Sequence, residues 1–395
     1  MKTPSWAMTE RPPEGSPPGG PWGANHPAPR CLRWAALLGC LAVPAAVGHD
    51  WHRGEEARQV AGAPLLLAEA TLIAEERTAF ELVAAAIPGP TAVEVVRPGI
   101  ATAFAPFAPR VKTRWDDRYL YVESNGLPDH GMMVGITAWQ QQVPLPQPYV
   151  GANAWRLPRS PVPAVQPVSI RDRFLRGAIA LAANGIPIFN PQNNRGEISQ
   201  EIGELDQWGG HCGRADDYHY HAAPLHLQKI LGRGRPVAIA LDGYPVYGLS
   251  DPDGSVPVGL DAFRGHETGA LGYHYHASTN YPYVQGGFHG VVVEREGQVD
   301  PQPRAQPVRP DKPPLRGARI TSFHAATNHQ SFSLQYTVNG RPASLEYSLG
   351  ADGRWTFRHA EPDGSTREET HRPGERRGGG GQPPGGRPGG RRPQP

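Results

Sequence analysis

A repeat constrains this chain more than any other feature. At an offset of 55 residues, Leu205-Asp206-Gln207-Trp208-Gly209-Gly210-His211 lies over Leu260-Asp261-Ala262-Phe263-Arg264-Gly265-His266. The same offset places Tyr218-His219-Tyr220-His221 on Tyr273-His274-Tyr275-His276 without a gap. Upstream, Asn184-Gly185-Ile186-Pro187-Ile188-Phe189 matches Asp242-Gly243-Tyr244-Pro245-Val246-Tyr247 at an offset of 58, so the repeat covers roughly residues 178–276. Two copies are too few for a solenoid, and the expected arrangement is two halves packed about a pseudo-two-fold axis.

The fold class follows from composition and period. The chain has 395 residues, enough for one or two domains with a sizeable core. Its 48 glycines and 45 prolines disfavour helix bundles and favour short strands joined by turns. The predicted fold is mainly β: an internally duplicated β-rich domain plus a small C-terminal β module.

Residues 34–47 are apolar, follow Arg30 and Arg33, and end in the small residues Ala46-Val47-Gly48. That order is what a secretory signal needs, and the stretch is too short to span a bilayer. The expectation is an exported protein, periplasmic or extracellular, with no transmembrane span in the mature chain. Leu37-Leu38-Gly39-Cys40 has the order of a lipid-attachment box, which would add an anchor. Cleavage after Gly48 leaves Cys212 as the sole cysteine and allows no internal disulfide.

The expected organisation is a leader over 1–48, a helical or linker region over 49–109, and a main domain over 110–295. A Pro-rich linker over 296–315, a β module over 316–360 and a disordered Gly/Pro/Arg tail over 361–395 follow. The Leu/Ala/Glu-rich stretch 64–87 reads as a helix. Trp115, Tyr119, Tyr121 and Val122 carry strand texture at the start of the main domain. In the module, Phe332, Leu334, Tyr336 and Val338 alternate with polar residues up to the hairpin signal Asn339-Gly340, and Trp355 and Phe357 alternate again after Asp352-Gly353.

A Tyr-His-Tyr-His strand sends both histidines to one face and both tyrosines to the other. If the halves pack face to face, His219, His221, His274 and His276 converge, with His211 and His266 entering from the preceding turns. Six imidazoles in a single cavity would form a cage for a transition metal, copper or zinc, since neutral imidazole is the commonest nitrogen ligand for such ions. Asp206 and Asp261 are expected to orient an imidazole as outer acceptors. His130, His289, Tyr218, Tyr220, Tyr273 and Tyr275 are weaker candidates around the same site. The competing reading of these residues is a buried His/Tyr hydrogen-bond network without an ion. Cys212 beside His211 reads as a buried structural thiol, and Asp251-Pro252-Asp253-Gly254 as a turn, not a calcium loop.

The net charge of +2, with much of the excess arginine in one tail, provides no field for nucleic acid, so the expected partner is the metal ion. Nucleophile-elbow, His-Glu-x-x-His, phosphate-loop and paired-carboxylate signatures are all missing from the sequence. Whether the chain is an enzyme therefore stays open. A redox or hydrolytic metalloenzyme, a metal-binding module without turnover, and a carbohydrate-type module using Trp139, Trp155 and Trp208 all remain.

The two Tyr-His-Tyr-His runs, with Ala240-Leu241-Asp242-Gly243-Tyr244-Pro245-Val246-Tyr247-Gly248 between them, closely resemble the YHYH-domain family over about residues 110–295. The family is named for its motif. The resemblance implies the domain boundaries and an exported protein, and it carries no particular activity. Where many relatives have cysteine, this chain has Trp208 and Phe263, so the resemblance implies no disulfide there.

Overall fold

A computed structural model describes residues 99–269 and 271–374. The leader, the lipid-attachment box and the helix expected over 64–87 lie outside the described residues. Strands dominate. The described chain opens with two short 3-10 turns, Gly99–Ala103 and Ala105–Phe107; Ala101 and Ala103 of the first and Phe104 between the two are buried. The end of the region read as a linker is thus part of the core.

Strands β1 (Lys112–Trp115), β2 (Tyr119–Glu123) and β3 (Trp155–Pro158) form an antiparallel sheet in that order. β4 (Pro163–Ser169) waits for a later partner, β13 (Gly287–Gly290). Between them the chain builds an eight-stranded sheet from β5 (Ala178–Ala182), β6 (Pro187–Phe189), β7 (Gly210–Cys212), β8 (Tyr218–Tyr220), β9 (Ala238–Ala240), β10 (Pro245–Tyr247), β11 (Gly265–Thr268) and β12 (Gly272–His276). Their spatial order is β11-β12-β10-β9-β5-β6-β8-β7.

β5 and β9 pair antiparallel at the centre, where Ala180 faces Ala240. Both are short apolar runs, Ala-Ile-Ala-Leu-Ala and Ala-Ile-Ala, with every residue buried. That is the signature of strands covered on both faces. Outward from this pair, β6 lies antiparallel to β5 and parallel to β8, and β7 closes that edge antiparallel to β8. On the other side β10 is antiparallel to β9 and parallel to β12, and β11 closes the edge antiparallel to β12. The two Tyr-His-Tyr-His hairpins are thereby driven to opposite edges. At a strand spacing of about 4.8 Å, the five steps from β8 to β12 separate them by roughly 24 Å along the sheet.

The segment 296–315 is a strap rather than a free linker. After the small hairpin β14 (Glu294–Arg295) and β15 (Gln298–Val299), Gln302 accepts from Ala178 N at 2.8 Å. Gln306 N donates to Gln147 Oε1 at 2.8 Å. Arg309 is buried and bidentate on buried Asp216, at 2.6 and 3.0 Å.

The C-terminal sheet is an antiparallel meander of β16 (Ala318–Ala325), β17 (Ser331–Val338), β18 (Arg341–Leu349), β19 (Trp355–Ala360) and β20 (Thr366–His371). Phe332, Leu334 and Tyr336 point to its core face, as their alternation predicts. Asn339 and Gly340 take φ of 49° and 81°, the double left-handed turn that a two-residue hairpin needs. The sheet docks on the main domain through Tyr347, whose hydroxyl donates to Pro144 O at 3.0 Å. Gly135 and Ile136 exchange main-chain bonds with Ile320 there. β20 corrects the expected tail: the Asp363-Gly364-Ser365 turn returns the chain, and Arg358 pairs with Glu368 and Lys312 with Glu369. Charged residues make this an edge strand without an apolar pattern, which is why its sequence reads as unstructured. Among the described residues no helix is long and apolar enough to cross a membrane.

Arg309→Met removes one member of a buried ion pair and leaves the Asp216 carboxylate uncompensated. The expected cost is about 3–5 kcal/mol, read as a lower urea midpoint, with partial recovery in Arg309→Met/Asp216→Asn. An unchanged midpoint for the single variant contradicts the strap's structural role.

Candidate metal centres

The local fold explains the histidine spacing. In the β7–β8 hairpin His211 lies directly across from His219, and His221 follows two positions later on the same face. In β11–β12, His266 lies across from His274, and His276 ends that strand. Each hairpin therefore presents three imidazoles on one face.

The six imidazoles do not share a cavity. His211, His219 and His221 form one set, and His266, His274, His276 and Asp251 form another. The single cage read from the sequence is overturned, because the β5–β9 pairing occupies the centre of the sheet and leaves each hairpin at an outer edge.

Within each set, the ring nitrogens are sorted by the backbone. In the second set His266 Nδ1 faces Val258 O at 2.9 Å, His274 Nδ1 faces Gly272 O at 3.0 Å, and His276 Nδ1 faces Gly248 O at 3.2 Å. A carbonyl only accepts, so each Nδ1 carries the proton and each Nε2 keeps a lone pair. Those lone pairs meet: His266 Nε2 is 3.0 Å from His274 Nε2 and 3.2 Å from His276 Nε2. Asp251 Oδ1 lies 3.2–3.3 Å from all three. In the first set His219 Nδ1 faces Asp217 O at 2.9 Å and His221 Nδ1 faces Asn190 O at 2.5 Å. His221 Nε2 is then 3.0 Å from His211 Nε2 and 3.1 Å from His219 Nε2.

Acceptors at such distances repel one another unless a cation lies between them, so each set could hold a metal ion. One shared proton can bridge one pair and leaves the third nitrogen without a donor. Burial pushes the His211 and His276 pKa values down and that of His221 to about 3, so the neutral, ligating form prevails. Burial raises the Asp251 pKa, but the His274 hydrogen bond and the His276 and His266 charges outweigh it, and the carboxyl stays below its ordinary value.

Asp251 escapes a reading of the sequence because Asp251-Pro252-Asp253-Gly254 has the composition of a turn. It is one: Gly254 N donates to Asp251 O, and the turn holds the Asp251 side chain over the three imidazoles.

The tyrosines take the opposite face of each hairpin. Tyr218 donates to Asp206 at 2.8 Å and Tyr273 to Asp261 at 2.7 Å. Asp206 also accepts from Trp208 N and Gly210 N, and Asp261 accepts from Phe263 N and Gly265 N. These aspartates therefore fix the turn into the hairpin and do not orient an imidazole, as their spacing had suggested. Oδ1 of each accepts from these amides four residues or fewer away, and Oδ2 accepts from the tyrosine. His130 and His289 also lie on the tyrosine side. His130 accepts from Tyr220 at 2.6 Å and stacks on Trp208, while His289 stacks on Tyr273 and its main-chain N–H donates to Tyr275 at 2.7 Å. Neither reaches a histidine set. Tyr275 donates to buried Asp242 at 2.6 Å.

Cys212 is a buried free thiol whose pKa burial raises, as expected of a structural cysteine. Trp139 and Trp155 are core residues, which removes two of the three aromatics a carbohydrate platform would use.

A cavity of about 200 Å³ opens beside the first set. His211, His219 and His221 line it together with Phe189, Asn193 and Arg195, and Phe189 stacks on His219 with ring centroids 3.8 Å apart.

A family model described as YHYH protein matches residues 154–258. The match includes the first histidine set and Asp251 and ends before His266, His274 and His276. No curated protein and no solved structure matches the chain.

The glycine before each first histidine is required by packing. A Cβ at Gly210 would collide with the Tyr218 hydroxyl, and one at Gly265 with the Tyr273 hydroxyl. Gly210→Ala, at the buried site, is expected to cost about 1–3 kcal/mol in chemical denaturation. A variant as stable as the parent contradicts this reading of the hairpin.

Proposed function

We propose that this chain is an exported protein that binds two transition-metal ions, one at each histidine set, and that zinc is the ion the second set fits. The single observation that carries the reading is the inward convergence of Nε2 atoms whose Nδ1 partners are backbone carbonyls. Carbonyl-oriented imidazoles are the usual outer shell of a metal site.

The spacing supports the choice of ion. With zinc–nitrogen and zinc–oxygen bonds of about 2.0–2.1 Å, the edges of a tetrahedron are roughly 3.3 Å long. Five donor separations in the second set fall at 3.0–3.3 Å. Tetragonal copper(II) would instead place opposite donors roughly 4 Å apart in a plane. Three imidazoles and one carboxylate make a closed set, suited to holding an edge of the sheet together. The bland alternative, a His/Tyr network without an ion, accounts for the tyrosine face, where donors and acceptors match, and fails on the imidazole face, where they do not.

The recurrence of these contacts supports a duplication about a pseudo-two-fold axis, now with the axis between β5 and β9 and one metal centre per half. Export rests on the leader sequence alone, and the mature chain is expected in the periplasmic or extracellular fraction.

Elemental analysis of untagged protein after zinc reconstitution tests the reading. Two equivalents are expected in the parent, one in His219→Ala, one in His274→Ala and none in the double variant. A parent without stoichiometric metal contradicts the proposal, and loss of both ions from either single variant contradicts independent centres.

A further inference from the structure

We infer that the first centre keeps its fourth metal position for an exchangeable small oxyanion, a carboxylate or a phosphate, whereas Asp251 seals the second. This rests on the two-metal reading above. The offset of 58 that aligns residues 184–189 with 242–247 continues to Asn193 and Asp251. The structure supports that register independently. Asn190 O accepts from His221 Nδ1 as Gly248 O accepts from His276 Nδ1, three residues before the position concerned in each half. Where the second set has a carboxylate ligand, the first has an amide.

That amide is engaged elsewhere. Asn193 Oδ1 accepts from Arg195 N at 2.9 Å and Glu197 N at 3.1 Å, and Nδ2 donates to Glu197 and Glu204 at 3.0 and 3.3 Å. Its oxygen has no lone pair left for an ion. Three histidines with an empty corner is the ligand count of zinc sites that bind water or substrate, whereas four protein ligands is the count of structural ones.

The corner faces the 200 Å³ cavity, room for roughly six waters at about 30 Å³ each. Charge selects the occupant. A dication on three neutral imidazoles keeps its full charge of two, and Asp251 would cancel one unit at the other centre. Arg176, Arg195 and Arg214 also line the cavity. Arg195 is spent on Glu197 and Glu204 at 2.6 Å each, while among the described residues Arg214 pairs with Asp311 alone, at 3.8 Å. An oxyanion with one oxygen on the metal and another toward a guanidinium fits this field.

The test loads the full chain with two equivalents of cobalt(II), whose visible absorption reports coordination. Acetate and inorganic phosphate are titrated in separately at constant ionic strength, with perchlorate as control. Acetate, phosphate or both should produce a saturable change, and the comparison identifies the preferred class. The change should persist in His274→Ala, which keeps only the first centre, and vanish in His211→Ala and His219→Ala, which keep only the second. Arg176→Gln, a surface change, should weaken the anion by about three- to tenfold. A chain that takes up no cobalt overturns both the metal reading and this inference. Two bound cobalt ions with a spectrum indifferent to both anions, or a response that survives in His211→Ala and His219→Ala, overturn this inference alone.

Discussion

A neutral imidazole has one nitrogen that donates and one that accepts, and the rest of this structure depends on which of them the backbone claims. Five of the six histidines in the two sets turn Nδ1 to a main-chain carbonyl. The carbonyls belong to the strands and turns themselves, so the fold fixes each tautomer before any ligand arrives. What remains is a ring of lone pairs about 3 Å apart, a geometry that is costly when empty and favourable around a cation. The two faces of each hairpin solve this differently. On the tyrosine face hydroxyls donate to carboxylates and the network closes on itself. On the histidine face the facing lone pairs have no donor between them, and an ion there would close it.

The same strands decide that the histidines form two sets and not one. The central β5–β9 pair is built from alanines with Ile179, Leu181 and Ile239, all buried, and the sheet extends outward from it on both sides. A repeat in sequence matches the residues of two sites but carries no information on their separation. Face-to-face packing and edge-to-edge pairing predict the same residues, and only the second matches this sheet. The consequence is that two similar hairpins have different surroundings, Asp251 beside one and a cavity beside the other.

Much of this was legible in the residues. The Tyr-His-Tyr-His period of two gives the facing of every histidine and tyrosine in the hairpins, and the matched positions of His211 and His266 give the cross-strand partner of each run. Asn339-Gly340 announced its turn. Three features were hidden for physical reasons. Asp251 sits in a turn whose composition explains itself, and its role arises only from where the turn is placed. The Nδ1 acceptors are main-chain oxygens, which every residue possesses and no motif records. β20 and the 296–315 strap are held by charged and polar contacts at long separation, such as Arg309 with Asp216, rather than by an apolar period.

Anomalous diffraction at the zinc absorption edge, on crystals of reconstituted protein, tests the central claim most directly. The account predicts two peaks, each about 2 Å from its set's Nε2 atoms, at opposite edges of the eight-stranded sheet. A single peak shared between the hairpins, or imidazole sets that stay empty with their Nε2 atoms moved apart, would contradict it.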